Sequence, residues 1–331
     1  MNRCNLLHLS FVVFFLSFFF ACKKHYVNKS DPTVYIAGVN GDTAIFWKNG
    51  VAEQLSNGVS HAEANQVTVA GGAVYIPGEG LNAGADQAVC WQDGSPNFLP
   101  VPALTDASVA NSVFVSGSDV YVAGWSVGVN NLYATFWKNG IATVIDSTNS
   151  GVPYSIAVSG GSVYMCGTSL LNLAIVTATW WKDGVRQTLT TNEISEAHSI
   201  CVSGSNVYIA GMHASGPTNV PALWKNGQLT DLSATEGVAN SVTVAGNNVY
   251  VAGYETVNGV VTATIWKNGS PQHMPGGAQG SIGSSVFVFG SDVYMAGSAY
   301  NNNTQQACYW KNGQLFTIGN NGSSANSIFV Q

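Results

Sequence analysis

Charge is what this sequence has least of. Eleven lysines and arginines and seventeen aspartates and glutamates make up 8% of its 331 residues, for a net charge of −6. With no basic cluster there is no electrostatic footprint for nucleic acid, and no such partner is expected. Long apolar runs are missing too, apart from one near the N-terminus. The six cysteines form no Cys-x-x-Cys and no His/Cys pair at ligand spacing. The sequence has no Gly-x-Ser-x-Gly, no His-Glu-x-x-His, no phosphate-binding loop and no EF-hand spacing. Gly78-Glu-Gly80 lies between strands instead of at a strand-to-helix turn. No cofactor and no metal are expected from these absences.

What is present is repetition. Ala134-Thr-Phe-Trp-Lys-Asn-Gly140 recurs, lightly edited, with its tryptophan at positions 47, 91, 137, 181, 224, 266 and 310. A second motif, Val-Tyr-x-Ala-Gly, keeps the same beat at Tyr35, Tyr75, Tyr121, Tyr164, Tyr208, Tyr250 and Tyr294. A period of roughly 40–45 residues marks an array of small β units. The apolar fraction is 46% and there are 37 glycines, which suits short strands joined by tight turns. Solubility then falls to Asn, Ser, Thr and Gln.

Each unit reads as four strands. In the first, Thr33-Val-Tyr-Ile-Ala-Gly38 alternates apolar residues and stops at a glycine (strand B). Thr43-Ala-Ile-Phe-Trp-Lys48 follows (strand C), and Asn49-Gly50 is a two-residue hairpin signal, because a type I′ turn needs φ > 0 at both central positions. A short return through Leu55 is strand D. Asn65-Gln-Val-Thr-Val-Ala70 is strand A of the next unit, joined by Gly71-Gly72 to the next Val-Tyr strand. The first unit has no A strand before it, and the chain ends on Ala325-Asn-Ser-Ile-Phe-Val330, an A strand with nothing after it. An open solenoid would need capped ends, whereas these two incomplete ends add up to one unit. The expected fold is therefore all-β: a seven-bladed β-propeller of four-stranded antiparallel blades over 33–331, its ring closed by the C-terminal strand pairing with the N-terminal three. Strand A is expected innermost and the tryptophans between blades. The lysine after each tryptophan (Gln92 in the second unit) is expected to be a solvated turn flank.

The N-terminus is read separately. Arg3 precedes Phe11-Val-Val-Phe-Phe-Leu-Ser-Phe-Phe-Phe20, which is too short for a stable span. The run ends at Phe19-Phe-Ala-Cys22, which resembles the lipobox of bacterial lipoproteins. The resemblance implies a signal peptide over 1–21, cleavage before Cys22, acylation of that cysteine and a lipid anchor in the bacterial envelope, periplasmic or at the cell surface. Residues 22–32 form the polar tether. Cys90, Cys166, Cys201 and Cys308 fill apolar or small repeat positions in different units and are expected as buried free thiols. Ala222-Leu-Trp-Lys-Asn-Gly-Gln-Leu-Thr-Asp-Leu232 and residues 197–211 before it resemble the HAF-type extracellular repeats of bacteria, over nearly all of 33–330. That family brings no activity to carry over.

Strand direction decides which loops share a face. A–B and C–D turns are nearly constant between units, whereas B–C and D–A loops vary, as in Gly124–Tyr133 and Ser298–Thr304. Variable loops on a rigid scaffold usually carry recognition. The tether joins at the constant face, so the variable face is expected to point away from the membrane. There, at the start of strand A, the units align Asn326, Asn65, Asn111, Tyr154, His198, Asn240 and Ser284 in one ring, with Glu63 and Glu196 two residues earlier and His61 before Glu63. Asn and Ser at these positions, with the serines that follow them, would satisfy backbone groups between blades. The units that break the pattern, through His61, Glu63, Tyr154, Glu196 and His198, are candidate ligand contacts, with Trp125, Tyr133, Tyr254 and Tyr300 as aromatic contacts. Two histidines and two glutamates near one mouth invite a cation, but their blades lie across the ring. The expected role is non-catalytic binding or scaffolding of a glycan, peptide or envelope protein by a monomer. The alternative is a polysaccharide-acting enzyme using Glu63, Glu196 and the nearby histidines.

Overall fold

The computed structural model describes residues 31–331 except 104, 149, 172–174, 191 and 192. The apolar leader, Cys22 and the tether up to residue 30 lie outside the described residues. From Pro32 onward the chain is one compact unit.

Seven four-stranded antiparallel blades form a ring, each in the order A-B-C-D from the axis outward. Blade 3 shows the pattern: A is Ser108–Ser116, B Asp119–Val127, C Leu132–Lys138 and D Ile141–Asp146, and the strands of blades 2, 4, 5, 6 and 7 fall within 63–98, 151–188, 195–231, 237–273 and 281–321. Blade 1 is assembled from both chain ends, with A at Ser323–Val330 beside B at Val34–Asn40, C at Thr43–Lys48 and D at Val51–Gln54. Its register runs from Val34 opposite Val330 to Asn40 opposite Ser323. Two bonds outside the ladder extend the closure: Thr33 N–H donates to Gln331 O at 2.7 Å, and Gln331 N–H to Thr33 O at 3.1 Å.

The local chemistry of the repeat explains each blade. At every C–D turn an Asn-Gly or Asp-Gly pair has both φ angles positive, as at Asn226 (51°) and Gly227 (81°). The same Asn or Asp side chain accepts the N–H of the first valine of strand B, as Asn226 Oδ1 does from Val207 at 2.8 Å. The turn residue thus ties C–D to B while tolerating the left-handed backbone. All seven motif tryptophans are buried, and each packs against the preceding blade. Trp310, for example, lies with Ala252, Ala263 and Met274 of blade 6, and Trp47 lies with Tyr294, Ala296 and Ala307 of blade 7. Seven separate apolar clusters therefore fill the seven seams. Some indoles also donate to the loop leaving that blade, as Trp137 does to Pro100 O at 2.8 Å.

Four features differ from the sequence-based expectation. The strand-B glycine does not stop the strand: B continues past Gly124 to Val127, and past Gly211 to Ser215. Strand A carries a β-bulge at the ring position of Asn111, Tyr154, His198, Asn240, Ser284 and Asn326, and the bulge brings a carbonyl down onto strand B. A Cβ on Gly211 would lie 1.9 Å from Glu196 O, and one on Gly124 the same distance from Val109 O. Glycine is there to admit that carbonyl. Second, the stretches Gly124–Tyr133 and Ser298–Thr304 are mostly paired strand, with B and C of blade 7 separated by Asn302-Asn303 alone. Third, strand A of blade 2 is broken into Glu63–Ala64 and Thr68–Ala70. Fourth, the lysines after the tryptophans are more than turn flanks. Six of them lie over the tyrosine of the neighbouring strand B, at 5.0 Å for Lys138 over Tyr121 and 5.6 Å for Lys48 over Tyr35. Cys90, Cys166 and Cys308 are buried free thiols, and Cys201 is a half-buried one.

Candidate functional site

Strand A faces the axis, and at its bulge the backbone N–H groups turn away from their own sheet. The serine after the ring position takes up the slack one blade on. Ser112 Oγ accepts from Ile156 N–H at 3.1 Å, Ser155 from Ile200 at 3.2 Å, and Ser199 from Val242 at 3.1 Å. Ser241, Ser285 and Ser327 do the same for Val286, Ile328 and Val67, and in blade 2 Gln66 replaces serine, accepting from Val113 at 2.6 Å. The cycle is complete at all seven seams.

The ring residues form a second tier nearer the variable face. Asn65, Asn111, Asn240 and Asn326 each donate Nδ2 to the carbonyl just before the next bulge: Ala110 at 2.9 Å, Pro153 at 2.7 Å, Gly283 at 2.8 Å and Ala64 at 3.2 Å. These asparagines and serines are seam fasteners, as the structural reading of the sequence has it. Around the axis the serine tier forms a waist between two cavities. The inner one, about 330 Å³, is lined by Val67, Phe114, Ile156, Ile200, Phe287 and Phe329 among others. The outer one, about 120 Å³, is lined by the ring residues themselves and opens on the variable side.

Where the pattern breaks, the side chains turn to one another. Tyr154 and His198 replace asparagine in blades 4 and 5, and their rings meet edge to face at 5.8 Å. His198 Nε2 lies 2.9 Å from Glu196 Oε2, and its Nδ1 lies 3.2 Å from Asn240 Oδ1. Because Asn240 Nδ2 is committed to Gly283 O, both imidazole nitrogens face oxygen acceptors, and a neutral ring can serve only one of them. The hydrogen bond from His198 holds the Glu196 carboxyl below the usual carboxylate range, against a weaker opposing effect of burial. Burial pushes the Tyr154 phenol up, opposed by its hydrogen bond with Thr168 and helped by the Glu196 charge. Tyr254, in strand B of blade 6 (Asn248–Val257), is raised first by burial and then by the charges of Glu236 and Glu196 and by Tyr300. Burial also raises the phenol of Tyr300, in strand B of blade 7. The Glu196 charge thus bears on tyrosines of both neighbouring blades, which strand spacing alone could not show.

Trp125 occupies the same register position in blade 3 as Tyr254 in blade 6, one residue past the strand-B glycine and opposite Val109 or Val238. Tyr133 stands opposite Ser126 in the next strand, with its ring against Gly128. Both are half-buried near the variable end of blade 3, and among the described residues no hydrogen bond ties them to the Tyr154 group. His61 and Glu63 belong to blade 2, across the ring. Glu63 Oε1 accepts from Asn326 Nδ2 at 3.0 Å, and His61 Nε2 lies 3.1 Å from Glu79 Oε1. Glu63 and Glu196 are therefore not brought together, and each has its own partner. Glu79 was missed from sequence because Gly78-Glu-Gly80 looks like a loop. It lies within strand B of blade 2 (Ala73–Asn82), directly opposite Glu63. Counting one residue past each Val-Tyr-x-Ala-Gly glycine would have found it.

No protein-family model matches the chain, and no curated protein matches it either. Among solved structures the chain is similar to the computationally designed Ika8 protein, at 16% identity and a TM-score of 0.47, over 89% of this chain and 92% of that one. The class defined by the fold is a seven-bladed β-propeller, established here by the closed ring of strands and seams.

Proposed function

We propose that this protein is a lipid-anchored envelope protein that binds a neutral or basic glycan, without turning it over, on the variable face of the propeller. The observation that carries the proposal is the Tyr154–His198–Glu196 group. In a ring whose four asparagines are occupied in fastening blades, these three are turned to one another at the mouth, and the Glu196 charge bears on Tyr254 of the next blade as well. Aromatic faces with an apolar body and a polar tip, set around a floor of amides and hydroxyls, suit a ligand that is polar all over yet has flat apolar patches. The carboxylates of Glu196 and Glu236 add attraction for a basic group and disfavour an acidic one.

Glycan-array screening of the full chain tests this, followed by titration of any hit. Affinity should fall at least tenfold in Tyr154→Ala and in Glu196→Gln, and should be unchanged in Glu63→Gln. Failure to retain any glycan, or equal binding by all variants, contradicts the reading. Release of shortened sugar by the wild type would favour the enzymatic alternative instead. The anchor is tested separately: an alkyne fatty acid fed to expressing bacteria should label the chain, and Cys22→Ala should remove the label. The resemblance to HAF-type extracellular repeats supports the same placement outside the cytoplasm. With the chain entering blade 1 beside the Asn49-Gly50 turn, the binding face would look away from the membrane.

A further inference from the structure

Blade 2 holds an arrangement that the other blades lack. At the two facing positions just outside the bulge, one on strand A and one on strand B, the other blades pair Ser324 with Val39, Val109 with Trp125, Val152 with Thr168, Glu196 with Met212, Val238 with Tyr254 and Ile282 with Ser298. None of these places two acids together. Blade 2 sets Glu63 directly opposite Glu79. Like charges facing each other across a strand pair are destabilising, and these two are half-buried, which raises the cost. His61 comes over the same spot, its Nε2 3.1 Å from Glu79 Oε1. Among the described residues this is the group in which three such side chains bring one ligand atom each within 4.8 Å of one another.

We propose that His61, Glu63 and Glu79 form a binding site for one divalent transition-metal ion, of the zinc or manganese type. Two carboxylate oxygens and one imidazole nitrogen are the mixed donor set such ions take, whereas calcium and magnesium favour oxygen alone. Ligands at ~2.0–2.2 Å from one ion lie about 3–4 Å apart, so the observed spread closes with a small movement. His61, whose side chain is 55% exposed, is free to make it. The ligands also have outer partners of the kind that orient metal ligands. Asn326 Nδ2 donates to Glu63 Oε1 at 3.0 Å, and Asp42 Oδ1 faces the far nitrogen of His61 at 3.7 Å. Both partners belong to blade 1, Asn326 to the closing strand itself, so an ion held by blade 2 would brace the seam beside the closure. Three protein ligands leave a coordination position open on the variable side. The inference is independent of the glycan reading, which rests on blades 4 to 6.

The test uses the full chain, made without a polyhistidine tag and stripped by chelator, titrated calorimetrically with zinc, manganese and calcium chlorides in turn. Saturable uptake of about one zinc or manganese ion per chain is expected, weakened tenfold or more in Glu79→Gln and in His61→Ala, and unchanged in Glu196→Gln. The melting temperature of the wild type should rise with added ion and that of Glu79→Gln should not, which separates a lost site from a misfolded variant. Absence of saturable binding overturns the proposal, as does binding that survives both blade 2 substitutions. A preference for calcium would also overturn it.

Discussion

Deleting residues 323–331 removes the inner strand of blade 1 and leaves the ring open between blades 7 and 2. Ile328 and Val330 are buried there, and the Phe329 ring tilts against Phe287 at 4.7 Å. At about 1.5–3 kcal/mol for each fully buried large apolar side chain, Ile328, Val330 and part of Phe329 contribute about 5 kcal/mol. The strand also pairs at seven positions with Val34–Asn40 and takes part in the seam bonds Val67 to Ser327 and Ile328 to Ser285. At a net ~0.5–1.5 kcal/mol per hydrogen bond, these add roughly another 5 kcal/mol. The sum is on the scale of a whole domain's stability, about 5–15 kcal/mol. The truncated chain should therefore lose its cooperative melt and run as a larger or aggregated species on size exclusion, its exposed edge pairing with other copies. The milder Ile328→Ala should keep the ring at a cost of about 2–5 kcal/mol. A truncated chain that stays monomeric and melts at the wild-type temperature would refute the closure as the source of stability.

Other outcomes follow from the same geometry. Gly211→Ala puts a Cβ 1.9 Å from Glu196 O, so denaturant titration should show a loss of about 1–3 kcal/mol or more, together with weakened ligand binding because that bulge presents His198. Asn226→Ala forces a left-handed backbone on alanine and removes the acceptor for Val207 N–H. It should cost more than Asn226→Gly, and the reverse order would contradict the role given to the turn. Burial pushes the Cys90 and Cys308 thiols up to about 12 and raises Cys166 as well, so a disulfide exchange reagent at pH 8 should leave them unmodified until denaturant is added. The lowered Glu196 carboxyl means that the native state holds fewer protons than the unfolded chain. Its contribution is present above the ordinary carboxylate pKa and lost as pH falls through the lowered value. The stability gap between wild type and Glu196→Gln should therefore narrow as pH falls through and below the ordinary glutamate range, and a gap that widens on acidification would contradict the assignment.

The array was legible because its signals are local and repeated. Asn-Gly pairs require a particular turn, Val-Tyr alternation requires a strand, and the unmatched Ser-Ile-Phe-Val at the C-terminus has one place to go. Features that depend on contact across the sheet were hidden. The strand-B glycine reads as a terminator along its own strand, and only the bulge opposite reveals that it receives a carbonyl. The polar residues of 298–304 read as a loop, whereas the ladder runs through most of them. At the mouth, the breaks at Tyr154 and His198 were visible as exceptions to the asparagine column. The influence of the Glu196 charge on Tyr254, and the convergence of Glu79 on Glu63, depend on register between neighbouring strands and blades.

Hydrogen–deuterium exchange of the full chain, with and without a retained glycan, tests the central claim most directly. Protection should appear in the amides around 151–156, 195–200 and 237–241, where blades 4 to 6 begin at the mouth. Protection confined to the constant-face turns, such as 139–140 and 226–227, or to the outer D strands would contradict it.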